Sequence, residues 1–221
     1  MSFEVTIADY GSGNIYSVSR ALETCGGRIR LTADPDEIAS AERLVVPGVG
    51  AFEAVMGALS ARGLDDAIRR FAETGRPLLG ICVGMQMMMS FSEEFGHHPG
   101  FGFIPGKVTA IPGHGADGTP HPVPHIGWNG LLRGGRAWDG TLLADTPQGT
   151  AFYFVHSFAA APENPEHVLA TCDYDGHKIV AAVVHDNMVG VQFHPEKSGT
   201  AGLAVLESFL KNGCVHGYAV A

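Results

Sequence analysis

The sequence has few cysteines, no long apolar run and no excess of basic residues, and each shortage excludes a class of protein. Its four cysteines are Cys25, Cys82, Cys172 and Cys214. None of them forms the CxxC pair that zinc knuckles and thioredoxin-like motifs require. No stretch approaches the roughly 18 apolar residues that span a bilayer, and the first residues lack the pattern of a signal peptide. We therefore expect a cytoplasmic protein with free thiols and no membrane partner.

Basic residues are outnumbered, with 14 Lys and Arg against 23 Asp and Glu and a formal net charge of −9. Because no cluster of Lys or Arg could follow a phosphate backbone, nucleic acid is not an expected partner. The 11 histidines lack the spacing of a metal site, so neither a metal nor another cofactor is expected. A chain of 221 residues fits one domain, residues 1–221, with one sizeable core.

The N-terminal half alternates short apolar runs with helical periodicity, which is typical of a mainly parallel sheet flanked by helices. Predicted strands are 5–8, 44–46 and 77–81, and predicted helices are 15–25, 52–59 and 64–71. The strand 77–81 runs directly into the segment 85–89, which we interpret as the helix that follows it. Cys82 lies at this predicted junction of strand and helix.

The C-terminal half is richer in strands, and the predicted fold is therefore α/β with antiparallel strands in this half. Strand-like runs are 152–155, 167–170, 179–184 and 189–193, with hairpin turns at 175–176 and 186–187. A helix around 203–210 closes the fold, and the segment 113–124 is predicted to be a surface loop without an assigned role. We expect the tail 215–221 to be disordered.

The segment Gly80-Ile81-Cys82-Val83-Gly84 has the spacing of a nucleophile elbow, in which a sharp turn holds the nucleophile in a strained backbone conformation. The N-terminus of the following helix would favour a thiolate at Cys82. The N–H of Val83 would then be an oxyanion donor. The alternative is a small apolar cysteine in a tight turn.

A base for this thiol is offered by Gln192-Phe193-His194-Pro195-Glu196. A proline with fixed φ between His194 and Glu196 can place the carboxylate beside one ring nitrogen, while the other nitrogen faces the sulfur. For this pair alone, a surface histidine beside a solvated glutamate is the commoner explanation. The zinc deaminases also carry H-x-E, but the P-C-x-x-C that they require is absent.

A third element is the turn Pro47-Gly48-Val49-Gly50 after a predicted parallel strand, at the sheet edge where open α/β folds bind ligands. Its backbone N–H groups at Val49 and Gly50 are candidate oxyanion donors. It is not a phosphate loop, because no Gly-Lys-Ser/Thr follows. An ordinary tight turn is the alternative.

Together these elements resemble the class I glutamine amidotransferases, and the resemblance spans nearly the whole chain. It implies a flavodoxin-like fold and a Cys82, His194 and Glu196 triad. Within the class, the sequence is similar to the family of glutaminase subunits of imidazole glycerol phosphate synthase, through D-Y-G-x-G-N at 9–14, P-H-x-G-W-N at 124–129, Y-F-V-H-S at 153–157 and Q-F-H-P-E-K-S at 192–198. Val83 and Phe158 stand where that family more often has leucine and tyrosine.

The resemblance implies glutamine as substrate and a separate (β/α)8 barrel cyclase as heterodimer partner, which uses the ammonia to convert PRFAR to imidazole glycerol phosphate and AICAR. It also implies that the backbone near Val49 reorients to complete the oxyanion hole. Candidate substrate-binding residues are Gly48, Gln86, His156, Ser157 and Phe158. Candidate docking residues are Trp128, Asn129 and Lys197, since aromatic and cationic side chains near an active-site mouth suit a transient interface.

Two other functions fit parts of the pattern. A paralogous amidotransferase of the same class would keep the chemistry and feed a different synthase. A non-catalytic, flavodoxin-like regulator would keep an oxidisable Cys82 but would have no need for His194 and Glu196. A cysteine peptidase would need an extended peptide groove, of which the sequence gives no sign.

Overall fold

The computed structural model describes residues 3–11 and 13–214. The tail 215–221, for which we predicted disorder, and Ser12 of the first turn lie outside the described residues. The elements of the first part are β1 (Phe3–Ala8), α1 (Ile15–Thr24), β2 (Gly27–Thr32), α2 (Pro35–Ser40), β3 (Leu44–Gly48), α3 (Phe52–Ser60), α4 (Leu64–Ala72), β4 (Leu78–Cys82) and α5 (Val83–Gln86).

The second part consists mostly of strands. Its elements are β5 (Met89–Ser92), β6 (His98–Pro99), β7 (Ile104–Ala110), β8 (His125–Arg133), β9 (Ala151–His156), β10 (Phe158–Pro162), β11 (Val168–Tyr174), β12 (His177–His185), β13 (Met188–Val191) and α6 (Gly199–Asn212). Two short 3-10 helices, Pro165–His167 and Pro195–Lys197, precede β11 and α6. None of the helices in the described part of the chain is long and apolar enough to cross a membrane.

Within residues 3–11 and 13–214, nine strands form one mixed sheet in the order β2-β1-β3-β4-β13-β12-β11-β8-β9. The pairings from β2 to β13 are parallel, and those from β13 to β9 are antiparallel. The predicted α/β class, with a mainly parallel half and antiparallel strands in the C-terminal half, is confirmed. A second sheet of four strands has the order β10-β7-β5-β6.

Burial explains why the central strands were recognisable. Every residue of β3 and β4 is buried, because helices cover parallel strands on both faces and the sequence must be apolar throughout. Helix α4 buries Leu64, Ala67, Ile68 and Phe71 on one stripe. Helix α2 starts at Pro35 and is capped by Asp34, whose side chain accepts the N–H of Asp36.

The predicted helix through 85–89 is wrong, because α5 ends at Gln86 and β5 starts at Met89. The carbonyl oxygens of Met87, Met88 and Met89 accept N–H groups of Phe101, Ile104 and Gly102. These bonds replace the i to i−4 bonds of a longer helix. Similarly, His167 ends a 3-10 helix, and the strand predicted from it begins at Val168.

The loop predicted at 113–124 packs against the turn between β11 and β12. The N–H of Ala116 donates to the carbonyl of Asp175 at 2.9 Å, and the ring of His121 lies 2.9 Å from the Asp175 carboxylate. Tyr174 donates its hydroxyl to the carbonyl of Pro122 at 2.6 Å. The loop is thus tied to one hairpin by both backbone and side-chain contacts.

Candidate active site

Three neighbouring parallel strands end at one place. Gly48 at the end of β3 pairs with Cys82 at the end of β4, and Val191 at the end of β13 pairs with Ile81. The chain beyond β13 then continues to His194. The register of the sheet therefore brings together Cys82, His194 and the turn at residues 47–50, which we call the glycine turn. They meet at the edge where open α/β sheets bind ligands.

Cys82 has a strained backbone, with φ 55° and ψ −113°. A non-glycine residue seldom adopts a positive φ, and such strain concentrates at functional sites. Close packing explains the glycines: a Cβ on Gly84 would lie 1.9 Å from the carbonyl oxygen of Val46, and one on Gly80 would lie 2.6 Å from that of Gly84. The helix after the elbow has four residues, so it contributes less of a dipole than we expected from the sequence.

The His194 ring is held by Glu196. Its Nδ1 lies 2.9 Å from Oε1 of Glu196, and the two side chains are 4% and 0% exposed. Asn14 donates from Nδ2 to the same oxygen at 3.2 Å, so the carboxylate has two donors. This contact sets Nδ1 as the protonated nitrogen and directs Nε2 elsewhere.

The pKa of His194 is raised to about 9. Burial lowers this pKa, but the interactions of the ring with Cys82 and Glu196 outweigh burial. Its Nε2 is buried and makes no regular hydrogen bond with any described residue. The interaction with Cys82 is therefore a close polar contact rather than a well-formed hydrogen bond.

Gln192, which we did not select from the sequence, reaches the sulfur of Cys82. It is fully buried, and its Nε2 donates to Sγ at 3.6 Å. Its Oε1 accepts a bond of 3.0 Å from Gln86, which also donates to the carbonyl of Phe158 at 2.9 Å. A chain of amides thus supplies the sulfur with a donor that would stabilise negative charge. The position of Gln192 within Q-F-H-P-E, after a buried strand, is the signal that could have identified it.

A cavity of about 430 Å³ opens over the sulfur. All of the sequence-selected residues for catalysis, oxyanion binding and substrate binding line it except Gly48 and Glu196. The lining residues are Gly13, Asn14, Val49, Gly50, Cys82, Val83, Gln86, Glu94, Val155, His156, Ser157, Phe158, His194 and Lys197.

Two of the candidate substrate-binding side chains have their nitrogen atoms occupied within the protein. Both N–H groups of Gln86 are donated internally, which leaves its oxygen for a ligand. The His156 ring contacts the carbonyl of Phe158 through Nδ1 and the ring of His125 through Nε2, at 2.9 and 3.0 Å. Burial lowers the pKa of His156 to about 4, so this ring is neutral at pH 7.

Glu94 lines the same cavity and was not selected from the sequence. It is the one acidic residue among the described residues that surround the cavity. Its Oε2 accepts the N–H of Phe52 at 2.7 Å. A carboxylate here is suited to a cationic group of a ligand, but Glu94 carries no motif by which we could have recognised it.

Tyr10 was also missed as a residue of this site. It is 1% exposed and donates its hydroxyl to the carbonyl of Pro47, which starts the glycine turn. Burial raises the pKa of the Tyr10 hydroxyl, and the charge of Cys82 raises it further, so the group stays protonated and remains a donor. Its place in D-Y-G-x-G-N was visible in the sequence, but its contact was not.

The three candidate docking residues separate into two groups. Trp128 pairs with Tyr153 across β8 and β9, and the Nζ of Lys197 lies 5.8 Å from the centre of the Tyr153 ring. Trp128 is 56% exposed and Lys197 is exposed as well. Asn129, by contrast, bonds with the ring of His125 and the carbonyl of Asp173. Trp128 and Lys197 are therefore exposed side chains that contact the partly buried ring of Tyr153.

The chemistry of the site depends on how side chains are grouped in the part of the chain that the structure describes. No group of three or more His, Cys, Asp or Glu residues there is arranged to hold a metal ion. What the arrangement offers instead is a thiol, an imidazole held by a carboxylate, and backbone donors around one cavity. These are the parts of nucleophilic acyl transfer.

Comparison with known proteins points to one family. The family profile described as "Glutamine amidotransferase class-I" matches residues 6–212. "Imidazole glycerol phosphate synthase subunit HisH 1" of Legionella pneumophila (strain Lens) is 50% identical over 209 residues, which cover 94% of this chain and 98% of that protein. "Imidazole glycerol phosphate synthase subunit HisH" of Geobacillus thermodenitrificans is 43% identical over 206 residues, covering 93% and 94% of the two chains.

Solved structures share the fold at low sequence identity. The chain titled "Structure of PurLQS from Thermotoga maritima" superposes with a TM-score of 0.70 at 19% identity, and covers 93% of this chain and 96% of its own. A structure titled "Crystal structure of glutamine amidotransferase" has a TM-score of 0.66 at 18% identity, with 93% and 97% covered. At such identities these two matches describe the fold alone.

Proposed function

Because this chain belongs to the class I glutamine amidotransferases, we propose that it is the glutaminase subunit of an imidazole glycerol phosphate synthase. It hydrolyses glutamine to glutamate and ammonia with Cys82, His194 and Glu196. The observation that carries the proposal is the convergence of three strand ends, which sets the Cys82 thiol beside a buried imidazole that a carboxylate holds at 2.9 Å. The relatives at 50% and 43% identity both bear the name of that synthase subunit.

The first half of the reaction forms a thioester. The sulfur of Cys82 attacks the side-chain amide carbon of glutamine, and the carbonyl oxygen becomes an oxyanion that backbone N–H groups of Val83 and of the Val49-Gly50 turn stabilise. Protonated His194 gives its proton to the leaving nitrogen, and ammonia departs. Gln192 supports the sulfur while it is anionic, through the bond of 3.6 Å.

The second half reverses these roles. Neutral His194 takes a proton from water, which attacks the thioester carbon, and the oxyanion occupies the same donors. Glutamate is released when the carbon–sulfur bond breaks, and the imidazolium and the thiolate are restored. Glu196 stabilises the imidazolium in both halves without accepting its proton.

The amino-acid end of the substrate needs a counter-charge for its ammonium group. Glu94 supplies it, since it is the acidic residue among the described residues around the cavity. Ser157 and Phe158 line the same cavity and support the rest of the substrate, while the oxygen of Gln86 can accept one further bond. His156 lines the cavity, but both of its ring nitrogens have partners within the protein, and Gly48 lies outside the lining.

The acceptor of ammonia lies in a partner. Trp128 and Lys197 are exposed and both contact the ring of Tyr153, and Lys197 also lines the cavity. Aromatic and cationic side chains of this kind suit a transient interface, and we assign it to a (β/α)8 barrel cyclase that converts PRFAR to imidazole glycerol phosphate and AICAR. The chain acts as one domain, residues 1–221, in the cytoplasm.

The test is glutamate release from glutamine by the purified chain, alone and mixed with its barrel cyclase and PRFAR, with Cys82→Ala as the blank. Strong stimulation that the blank lacks supports both the triad and the pathway. Activity that depends on Cys82 but ignores the cyclase would move the chain to a paralogous amidotransferase. Absence of activity in every mixture would favour the non-catalytic regulator instead.

A further inference from the structure

We propose that the oxyanion turn, residues 47–51, is anchored at its two ends by the side chains of Tyr10 and Glu94, and that Glu94 couples substrate binding to the turn. The inference rests on the proposed function, because the turn has a role only if an oxyanion forms. Tyr10 and Glu94 are positioning residues for the turn. Glu94 in addition contacts the substrate.

The first anchor lies at the start of the turn. The hydroxyl of Tyr10 donates to the carbonyl of Pro47, and both groups are buried. The backbone of Tyr10 is fixed in turn by Arg62, which donates from Nη1 to the Tyr10 carbonyl at 2.5 Å. Arg62 follows α3, the helix that begins where the turn ends. Tyr10 therefore joins the start of the turn to the far end of the helix that follows it.

The second anchor lies at the end of the turn. Phe52 is the first residue of α3, and no earlier turn of that helix can accept its N–H. Oε2 of Glu94 accepts it at 2.7 Å, from a position 42 residues later in the chain. A negative charge is also favourable at the start of a helix. Without Glu94, the first N–H of α3 would lose its protein partner.

Between the two anchors, the residues of the turn differ in how closely they are packed. A Cβ on Gly48 would lie 2.8 Å from the backbone nitrogen of Gly84, so Gly48 is closely packed against the elbow. Gly50 has φ 114°, and a Cβ placed there would meet nothing within 4 Å. Val49 is 46% exposed and lines the cavity. The close packing of the turn is therefore at Gly48, and open space lies at Gly50, next to the candidate oxyanion donors.

Glu94 lines the cavity and also contacts the residue that follows the turn. One of its oxygens holds Phe52, and the residue lines the cavity in which the substrate ammonium is expected. An ammonium bound to the carboxylate restricts its rotation, so the anchor on Phe52 tightens when the substrate is present. The turn is then held in place most firmly in the state in which an oxyanion forms.

The experiment compares two reactions of the same sulfur. Glutamate release needs the oxyanion donors, whereas alkylation of Cys82 by iodoacetamide displaces iodide at a saturated carbon and forms no oxyanion. Tyr10→Phe removes one hydroxyl, and we expect kcat for glutamine to fall about tenfold, part of the loss seen when a whole oxyanion donor is removed. The alkylation rate should change less than twofold. Tyr174→Phe is the matched control, because it removes a tyrosine hydroxyl that donates to the carbonyl of Pro122 in another part of the fold.

Two substitutions separate the roles of Glu94. Glu94→Gln keeps an oxygen for the N–H of Phe52 but loses the charge, so KM should rise about tenfold or more while kcat is nearly kept. Glu94→Ala loses both functions, so kcat should fall as well. Glu93→Gln, at an exposed neighbour that pairs with Lys107, is the control and should change neither constant.

The outcomes of these experiments test the two anchors and the proposed function separately. Equal losses of glutamate release and alkylation in Tyr10→Phe, or no loss in either, would overturn the first anchor. Equal kcat values for Glu94→Gln and Glu94→Ala would overturn the second. A wild-type chain that is alkylated at Cys82 but releases no glutamate with or without the cyclase would overturn the proposed function, and the inference with it.

Discussion

Replacing Glu196 by glutamine should lower the pKa of His194, because the amide can still accept the bond from Nδ1 but carries no charge. In the native protein this pKa is about 9, against 6.5 for an ordinary histidine. The difference corresponds to roughly 3 kcal/mol in favour of the imidazolium, and it is what remains after burial has acted in the opposite direction. Cys82 and Glu196 share this stabilisation.

If the two partners contribute comparably, Glu196→Gln and Cys82→Ser should each lower the pKa of His194 by about one unit or more. The assay is an NMR titration of the ring nitrogens between pH 5 and 10, in which the signals of His194 are those absent from His194→Gln. Glu207→Gln, at an exposed carboxylate paired with Lys211, should leave the titration unchanged. A native His194 that titrates below 6.5 would refute the reasoning, since burial would then outweigh both partners.

The same shift predicts how stability depends on pH. Because the pKa of His194 is raised in the folded state, its contribution to the free energy of unfolding is complete below pH 6.5 and is lost as pH rises through about 9. Urea unfolding of the native chain and of Glu196→Gln should therefore differ more at pH 6 than at pH 9.5. A difference that stays constant or grows with pH would contradict the assignment of the charge to His194.

Two further predictions concern packing and thiol reactivity. Gly48→Ala should cost about 1–3 kcal/mol of unfolding free energy because its Cβ would lie 2.8 Å from backbone, whereas Gly57→Ala, with nothing within 4 Å, should gain up to about 1 kcal/mol in urea titrations. Iodoacetamide at pH 8 should label Cys82 well before Cys172 and Cys214, because burial raises the pKa of the Cys172 and Cys214 thiols to about 12. Peptide mass mapping that finds all three cysteines labelled at the same time would contradict this expectation.

The fold was predictable where one local signal determines the structure. The buried strands β3 and β4 are apolar throughout, and the glycines around Cys82 fit the close approach of neighbouring backbone. Strand β2 was missed because it lies at the sheet edge and alternates exposed arginines with partly buried residues. The helix predicted through 85–89 failed because three carbonyl groups there bond to residues 101–104, and that competition is not visible in a local pattern.

The candidate site was predictable to a different degree. Cys82, His194 and Glu196 could be selected because each stands in a motif at a strand end. Glu94 and Tyr10 could not be selected for their contacts, since these join a side chain to backbone 42 and 37 residues away. Polarity alone was also a poor guide to substrate binding, because the structure shows that the donors of Gln86 are occupied internally.

These differences bear on how a partner could control the site. Strand register fixes the position of Cys82 and of the end of β13, from which the chain continues to His194. The Nδ1 atom of His194 is held by the buried carboxylate of Glu196, which accepts a second hydrogen bond from Asn14. Such closely packed parts change little in response to a contact at the surface. The turn at Val49 and Gly50 is different, because Val49 is exposed and Gly50 has open space beside it. A docked protein that alters glutamine hydrolysis is therefore expected to change kcat by acting on this turn. If that protein leaves the cavity open, the rate at which iodoacetamide alkylates Cys82 should stay unchanged.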